Sequence, residues 1–416
     1  LSTTLVLPPA TAGAQSLPTG GSVVAGSAEI SGDGTGLTVS QSSGRAVVAW
    51  DSFSVATGHQ IHFDNGSGAT LNRVTGPSVS GINGTVTATG SVFLVNPSGV
   101  IIGSGGVVEV GGTFVASTLD VPDAAFLAGG DMTFAGDSTA AVVNYGRIGA
   151  LGGDVALVAA RAENHGTIEA PGGTAALAAG HEVLMRDATL GDGRFLVRVG
   201  GAETEAINTG TILAAEVELR ANQGNVLALA GNTEGVIRAT GMEESGGRVF
   251  LTAPGGEVRA EGPIEATTAA GAGGEVLVAA ERVSLDGRID VSGHAAAGGA
   301  VVVEGRRIDL GASLRIEASG SRGGIVLVGG DVQGGLDPAR LLWRDPIATA
   351  ETLRVAEGAV IAADGSEGDG GSVVLWSDAR TEFAGNITAR GGAESGDGGF
   401  AEVSSAGVLA FTGTAD

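Results

Sequence analysis

Hydrolytic or metal chemistry in this chain would have to come from five histidines and 46 Asp and Glu side chains, because cysteine is absent and no Gly-x-Ser-x-Gly occurs. His59, His62, His165, His181 and His294 stand at no spacing that metal ligands use. His59 and His62 are three apart with Asp64 nearby, but on a strand they fall on opposite faces. A glycosidase needs two carboxyl groups held about 5–10 Å apart in a groove. The candidate pairs, Asp286 with Asp290 and Glu304 with Asp309, read instead as solvated outward charges. Two acidic Gly-rich corners, Asp364–Gly371 and Glu394–Asp397, match neither the EF-hand register nor a nine-residue calcium repeat. The Asn-x-Ser/Thr matches at Asn65, Asn83 and Asn386 are read as chance. The expectation is therefore no catalytic residue, no metal ligand and no cofactor.

The composition says what would have to position any site. Gly accounts for 75 of 416 residues, aromatics for 4 % and hydrophobic residues for 43 %. Gly without a three-residue period excludes collagen, and the abundance of Val, Ile, Leu and Ala excludes disorder. What remains is a β protein with many turns that need Gly. The net charge is −24 and every cation is Arg, so the surface repels phosphate backbones and no nucleic-acid partner is expected. Without disulfides, stability must come from burial and strand ladders.

From about residue 152 a Gly-Gly pair followed by an apolar strand recurs, at 152, 172, 246, 273, 298, 323, 370 and 398. A second phrase keeps step, as Asn144-Tyr145-Gly146-Arg147-Ile148, Asn164-His165-Gly166-Thr167-Ile168 and Asn208-Thr209-Gly210-Thr211-Ile212. A period of 20–28 residues with several short strands per unit is a solenoid signature. Leucine-rich repeats would need a leucine ladder and a helical segment, and neither recurs. A parallel β-helix fits, with roughly 17 coils about 4.8 Å apart making a rod on the order of 80 Å.

Two segments depart from the repeat. Asp337-Pro338 followed by Ala339–Arg344 has the N-cap and first-turn Pro of a short helix, so an insertion projecting from the rod is expected around 331–350. Leu5-Val6-Leu7 before Ala12-Gly13-Ala14 has the form of a signal-peptide remnant over residues 1–14. The last residues, Thr412–Asp416, have no visible cap, and a natural chain running past Asp416 is expected.

Residues 17 to about 120 carry a series of phrases in order. They are Leu17-Pro18-Thr19-Gly20-Gly21, then Gln41–Trp50 with Ser52-Phe53-Ser54-Val55, then Leu71-Asn72-Arg73-Val74-Thr75-Gly76, and finally Asn96-Pro97-Ser98-Gly99. Together they resemble the recognition domain of filamentous-haemagglutinin-like exoproteins, the large partners in two-partner secretion. This chain departs from the commoner form at Ser98, where the family turn has Asn, at Ile102, and in His62-Phe63-Asp64-Asn65-Gly66. Read without the family, Pro97 fixes φ for a turn, Asn96 can bond its own backbone, and Gly99 relieves crowding before the next strand. That turn serves equally as a coil corner.

The resemblance implies an all-β chain, a right-handed parallel β-helix with an N-terminal β cap. It divides the chain into a recognition domain over 15–230, core 17–120, and a β-helical shaft over 231–416. It implies a non-enzymatic exoprotein at the surface of a Gram-negative bacterium, monomeric, serving as an adhesin. Its partners would be an outer-membrane barrel transporter with periplasmic recognition domains and a ligand on host, matrix or neighbouring cells. The secretion-recognition residues would be Asn72, Arg73, Asn96, Pro97, Ser98 and Gly99. Two rivals stand beside it: a β-helical carbohydrate-active enzyme, and the truncated carrier of a contact-dependent toxin.

Overall fold

The computed structural model describes residues 16–190, 193–229, 235–241 and 247–416. The leader expected at 1–14 and Gly246 of the repeat lie outside the described residues. The remainder is the expected all-β solenoid: each coil lays down three short strands, and each strand pairs in parallel with its counterpart one coil away. The first face runs from Gly36–Gln41 through Gln60–Asp64, Thr85–Ala88 and Val107–Val110 to Thr414–Ala415. It has fourteen rungs among the described residues, not 17, for a rod of about 65 Å. The shortfall arises because a cap and three excursions consume chain that the period alone assigned to coils.

The repeated phrases become ladders. Ile148, Ile168, Ile212, Ile237, Ile264, Ile289, Ile316, Ile361 and Ile387 stand in register on nine consecutive rungs, all pointing into the core. Stiff β-branched side chains suit that pleated, repeated contact. The Gly pairs form the corner between the first and second faces. A Cβ on Gly299 would stand 2.1 Å from the Gly274 carbonyl oxygen, so stacked corners admit no side chain there. The Asn of the second phrase stacks at another corner. Asn144 Nδ2 donates to Asn164 Oδ1 at 2.8 Å, and Asn164 Nδ2 donates to Asn208 Oδ1 at 2.8 Å.

The N-terminal cap is antiparallel. Ser22–Ala25 pairs with Arg45–Trp50, and Ala28–Gly32 pairs with Gly36–Gln41, which lays Val23, Ile30 and Leu37 over the open end of the core. Beneath it the interior is filled by large rings: Trp50 meets Phe53 edge-on at 5.7 Å, with Phe63 also sealed.

All three excursions leave between a second-face strand and the next third-face strand. The first, residues 118–140, contains a helix (Asp123–Ala128) and a strand (Met132–Ala135). The second, residues 180–204, is a hairpin of Glu182–Leu190 and Gly193–Val199. These three strands form a separate antiparallel sheet. The third lies between Ile325–Val328 and Thr352–Val355, so the 47-residue gap in the Gly-Gly spacing is one coil plus an insertion. This insertion is held to the rod at its flanks, while residues 336–341 between them are exposed. Buried Asp331 accepts the backbone N–H groups of Val332, Leu342 and Trp343, and Leu342, Trp343 and Ile347 lie against Leu327, Val374 and Trp376. An apolar outer face beneath the loop holds these three side chains. Its helical parts are two 3-10 turns, Val332–Gly335 and Pro338–Arg340, with Asp337 Oδ1 accepting the Ala339 N–H at 3.0 Å.

Candidate secretion-recognition region

The Asn96–Gly99 turn joins the strand Ser91–Val95 on the second face to Val100–Ile102 on the third. Asn96 Oδ1 accepts the Ser98 N–H at 2.9 Å, closing a local turn, and Gly99 takes φ 112°. Asn96 Nδ2 reaches across the corner to Ser78 O and Ser80 Oγ, each at 2.9 Å, and the side chain is wholly buried. Pro97 is exposed, Ser98 half-buried and Gly99 buried. The turn is thus a coil corner whose polar side chain is spent on its neighbours.

Asn72 lies further inside. It occupies the second-face strand Ala69–Val74 in register with Val48 and Leu94, residues of the central core. Its Oδ1 accepts the Trp50 indole N–H at 3.0 Å, and its Nδ2 donates to Phe93 O at 3.3 Å. A polar group at 0 % exposure is tolerated because both of its ends are bonded.

Arg73, one residue on, points outward and holds the first excursion. Its guanidinium donates to Asp120 Oδ1 at 3.0 Å, Asp123 Oδ1 at 2.6 Å and Val121 O at 2.9 Å. Arg45 grips the other end of the same short helix, donating to Phe126 O at 2.9 Å with its guanidinium 5.0 Å from the Phe126 ring centre. The helix covers outward Leu71, Phe93, Val95 and Val115, with Phe93 packed edge-on to Phe126 at 5.2 Å.

The hairpin is fastened by charges. Glu218 Oε1 accepts the Arg194 N–H at 2.6 Å, and Oε2 accepts the Phe195 N–H at 3.0 Å and Arg220 Nε at 2.7 Å. Arg194 Nε sits 2.6 Å from Asp154 Oδ2, close enough for an ion pair though not aligned as a hydrogen bond. Burial pushes the Asp154 carboxyl above the usual carboxylate range, with Arg194 pulling it back. Sequence reading missed Glu218 and Arg220. Their only trace is the alternation Val217-Glu218-Leu219-Arg220, which looks the same whether the charged face meets water or another part of the chain.

The residues weighed for chemistry stay dispersed. His62 bonds Thr87 Oγ1 at 2.8 Å, Asp286 accepts the Ser313 N–H, and Asp290 pairs with Arg288. Glu304 lies in a second-face rung and Asp309 in the third-face part of the same strand, where it pairs with Arg354. Asp364 and Asp369 accept backbone N–H groups of Arg390 and Asp397 in the adjacent coil. Among the described residues no three His, Asp or Glu side chains gather as a metal site.

The architecture is thus a capped parallel β-helix with a small antiparallel sheet on its second face. The family described as TPS secretion domain matches residues 14–266, and the chain belongs to that family. The crystal structure of the HMW1 secretion domain from Haemophilus influenzae superimposes with a TM-score of 0.69 at 26 % identity, covering 96 % of this chain and all of that one. A heme/hemopexin-binding protein of Haemophilus influenzae strain Rd is 39 % identical over 112 residues, 26 % of this chain. A second protein of that description from the same species is 38 % identical over 87 residues, 20 % of this chain. These matches span 12 % and 9 % of the relatives' own lengths. The relatives are described by binding or secretion, not by an enzymatic activity. The chain thus carries the secretion domain of a two-partner-secretion exoprotein of Gram-negative bacteria, delivered to the cell surface or the medium.

Proposed function

We propose that Asn72, Arg73, Asn96, Pro97, Ser98 and Gly99 are read by the periplasmic domains of the outer-membrane transporter before the chain folds. Residues 15–230 then act as the recognition domain and 231–416 as shaft. One observation supports this order of events: Asn72 and Asn96 have no exposed surface once folded, and their polar atoms are bonded to neighbouring strands. A partner that reads those side chains must meet them before the coils close. Each coil contacts only its neighbours, so the same segment can be extended in the periplasm and fold coil by coil outside.

The test is export with the cognate transporter. Deleting residues 71–100 abolishes export and leaves synthesis unchanged. Replacing Asn72 and Asn96 by Ala in a chain that still refolds in vitro abolishes it too. Normal export of either form overturns the reading.

Downstream, the whole exoprotein serves as an adhesin that presents a ligand-binding part away from the cell on a β-helical rod. A second reading, capture of a heme-carrying protein, is favoured by the description of the Haemophilus relatives. A groove of about 860 Å³ on the first face, beside Arg147 and Leu213, has no His, Met, Cys or Tyr among the described residues of its lining. Binding of the secreted protein to epithelial cells against binding to immobilised hemopexin separates the two.

A further inference from the structure

One outward row of the second face runs Leu71, Phe93, Val115, Ala156, Ala176, Glu218, Phe250, Leu277, Val302, Leu327 and Val374 on successive rungs. Ten of the eleven are apolar, although every one points away from the coil core. The chain covers both ends of this row itself. The helix and small sheet lie over the first five positions, and the 329–351 insertion lies over Leu327 and Val374.

Between those covers a groove of about 510 Å³ remains, floored by Phe250, Leu277, Ala279 and Val302. Two of its cations are committed: Arg344 bonds both oxygens of Glu275, at 2.8 and 3.0 Å, and Arg220 is held by Glu218. Glu304 also lines it, one position along the neighbouring outward row from Ala279, and has no cationic partner among the described residues. A half-buried carboxylate without a cation, at the edge of an apolar floor, is the chemical complement of an aliphatic chain ending in a positive charge. The net charge of −24 adds long-range attraction for cationic partners.

We propose that this groove docks a lysine-bearing aliphatic segment of a partner protein, its alkyl side chains on Leu277, Ala279 and Val302 and its ammonium on Glu304. None of these 416 residues supplies that ammonium, because lysine is absent from them. The proposal does not depend on the export reading, since it concerns the folded, secreted state.

The test titrates the full chain with acetyl-Leu-Leu-Lys-Leu-Leu-amide and with the same peptide carrying Glu for Lys, read by calorimetry. The lysine peptide binds and the glutamate peptide does not. Glu304→Gln weakens the lysine peptide roughly tenfold or more, the loss expected for a charge-assisted bond. Leu277→Asp serves as a second variant, on the floor instead of the charge, and abolishes the apolar contact. Circular dichroism confirms that each variant is folded. Equal binding of the two peptides, undiminished binding by both folded variants, or no binding at millimolar peptide overturns the proposal. Binding of hexylammonium alone, without the peptide, also overturns it and assigns the groove to a small amine.

Discussion

Trp50 and Asn72 meet inside the first coils, where the indole Nε1 donates to Asn72 Oδ1 at 3.0 Å and neither side chain has more than 1 % of its surface exposed. The bond crosses from one rung to the next and satisfies the only polar atom of the largest ring in the core. Asn72→Ala leaves the indole N–H without an acceptor and opens a cavity, for an expected loss of about 1–3 kcal/mol. Pairing Asn72→Leu with Trp50→Phe removes both polar partners together and costs less than Asn72→Ala alone. Urea unfolding of the parent, the single and the double variant checks this; a double variant less stable than the single one counts against the assignment.

The Asn ladder makes a graded prediction. Asn164 bridges Asn144 and Asn208, whereas Asn208 donates to its own corner, at Gly210 O. Asn164→Ala therefore strips a partner from two buried amides, and Asn208→Ala strips one. Each orphaned group costs about 1–3 kcal/mol, so the first variant is the less stable in the same urea assay.

The Gly pairs, the Asn-x-Gly-x-Ile phrases and the Val-rich strands made the solenoid legible, because identical corners and identical inward residues repeat wherever coils stack. The Asn96 turn was also legible, since Pro and Gly fix backbone angles locally. The covering of the second face was not. An outward Phe250 or Ala176 looks like an inward one when alternation is blurred by apolar residues on both sides of the strand. Arg73 was singled out through a family phrase, but its hold on Asp120 and Asp123 depends on a chain reversal some fifty residues later. The extra rungs expected from the period fail for the same reason: spacing counts residues and does not distinguish a coil from a loop lying on one.

Glu218 is the fastening of the hairpin. It is fully buried, paired to Arg220, and accepts two backbone N–H groups from the hairpin strand Gly193–Val199. Removing one partner of such a pair leaves an uncompensated buried charge, a loss of about 3–5 kcal/mol. Glu218→Ala should release the hairpin while the first-face Ile ladder stays formed. Hydrogen exchange reports this as fast exchange at Arg194 and Phe195 with slow exchange kept at Ile212 and Ile264. Uniform loss of protection would show that the hairpin and coils unfold as one unit.

Burial raises three carboxyl groups on the second face above their ordinary values. Asp154 is opposed by Arg194 and the Thr174 N–H, Glu216 by Arg248, and Glu304 by the Ala348 N–H alone, with Asp345 adding to the rise. A carboxyl whose folded value is raised holds its proton more tightly in the folded chain than in the unfolded one. Its contribution to stability is therefore complete below the ordinary carboxylate value and is lost as pH rises through the raised folded value. Stability should climb as pH falls from neutral toward that range. Relief of repulsion among 46 acidic residues pushes the same way in every variant, so the diagnostic quantity is the difference between variant and parent. Glu304→Gln should unfold at a higher temperature than the parent near neutral pH, and the gap should close as pH approaches about 4. Parallel melting curves for the two proteins between about pH 4 and 7 would show that Glu304 titrates as it does in the unfolded chain.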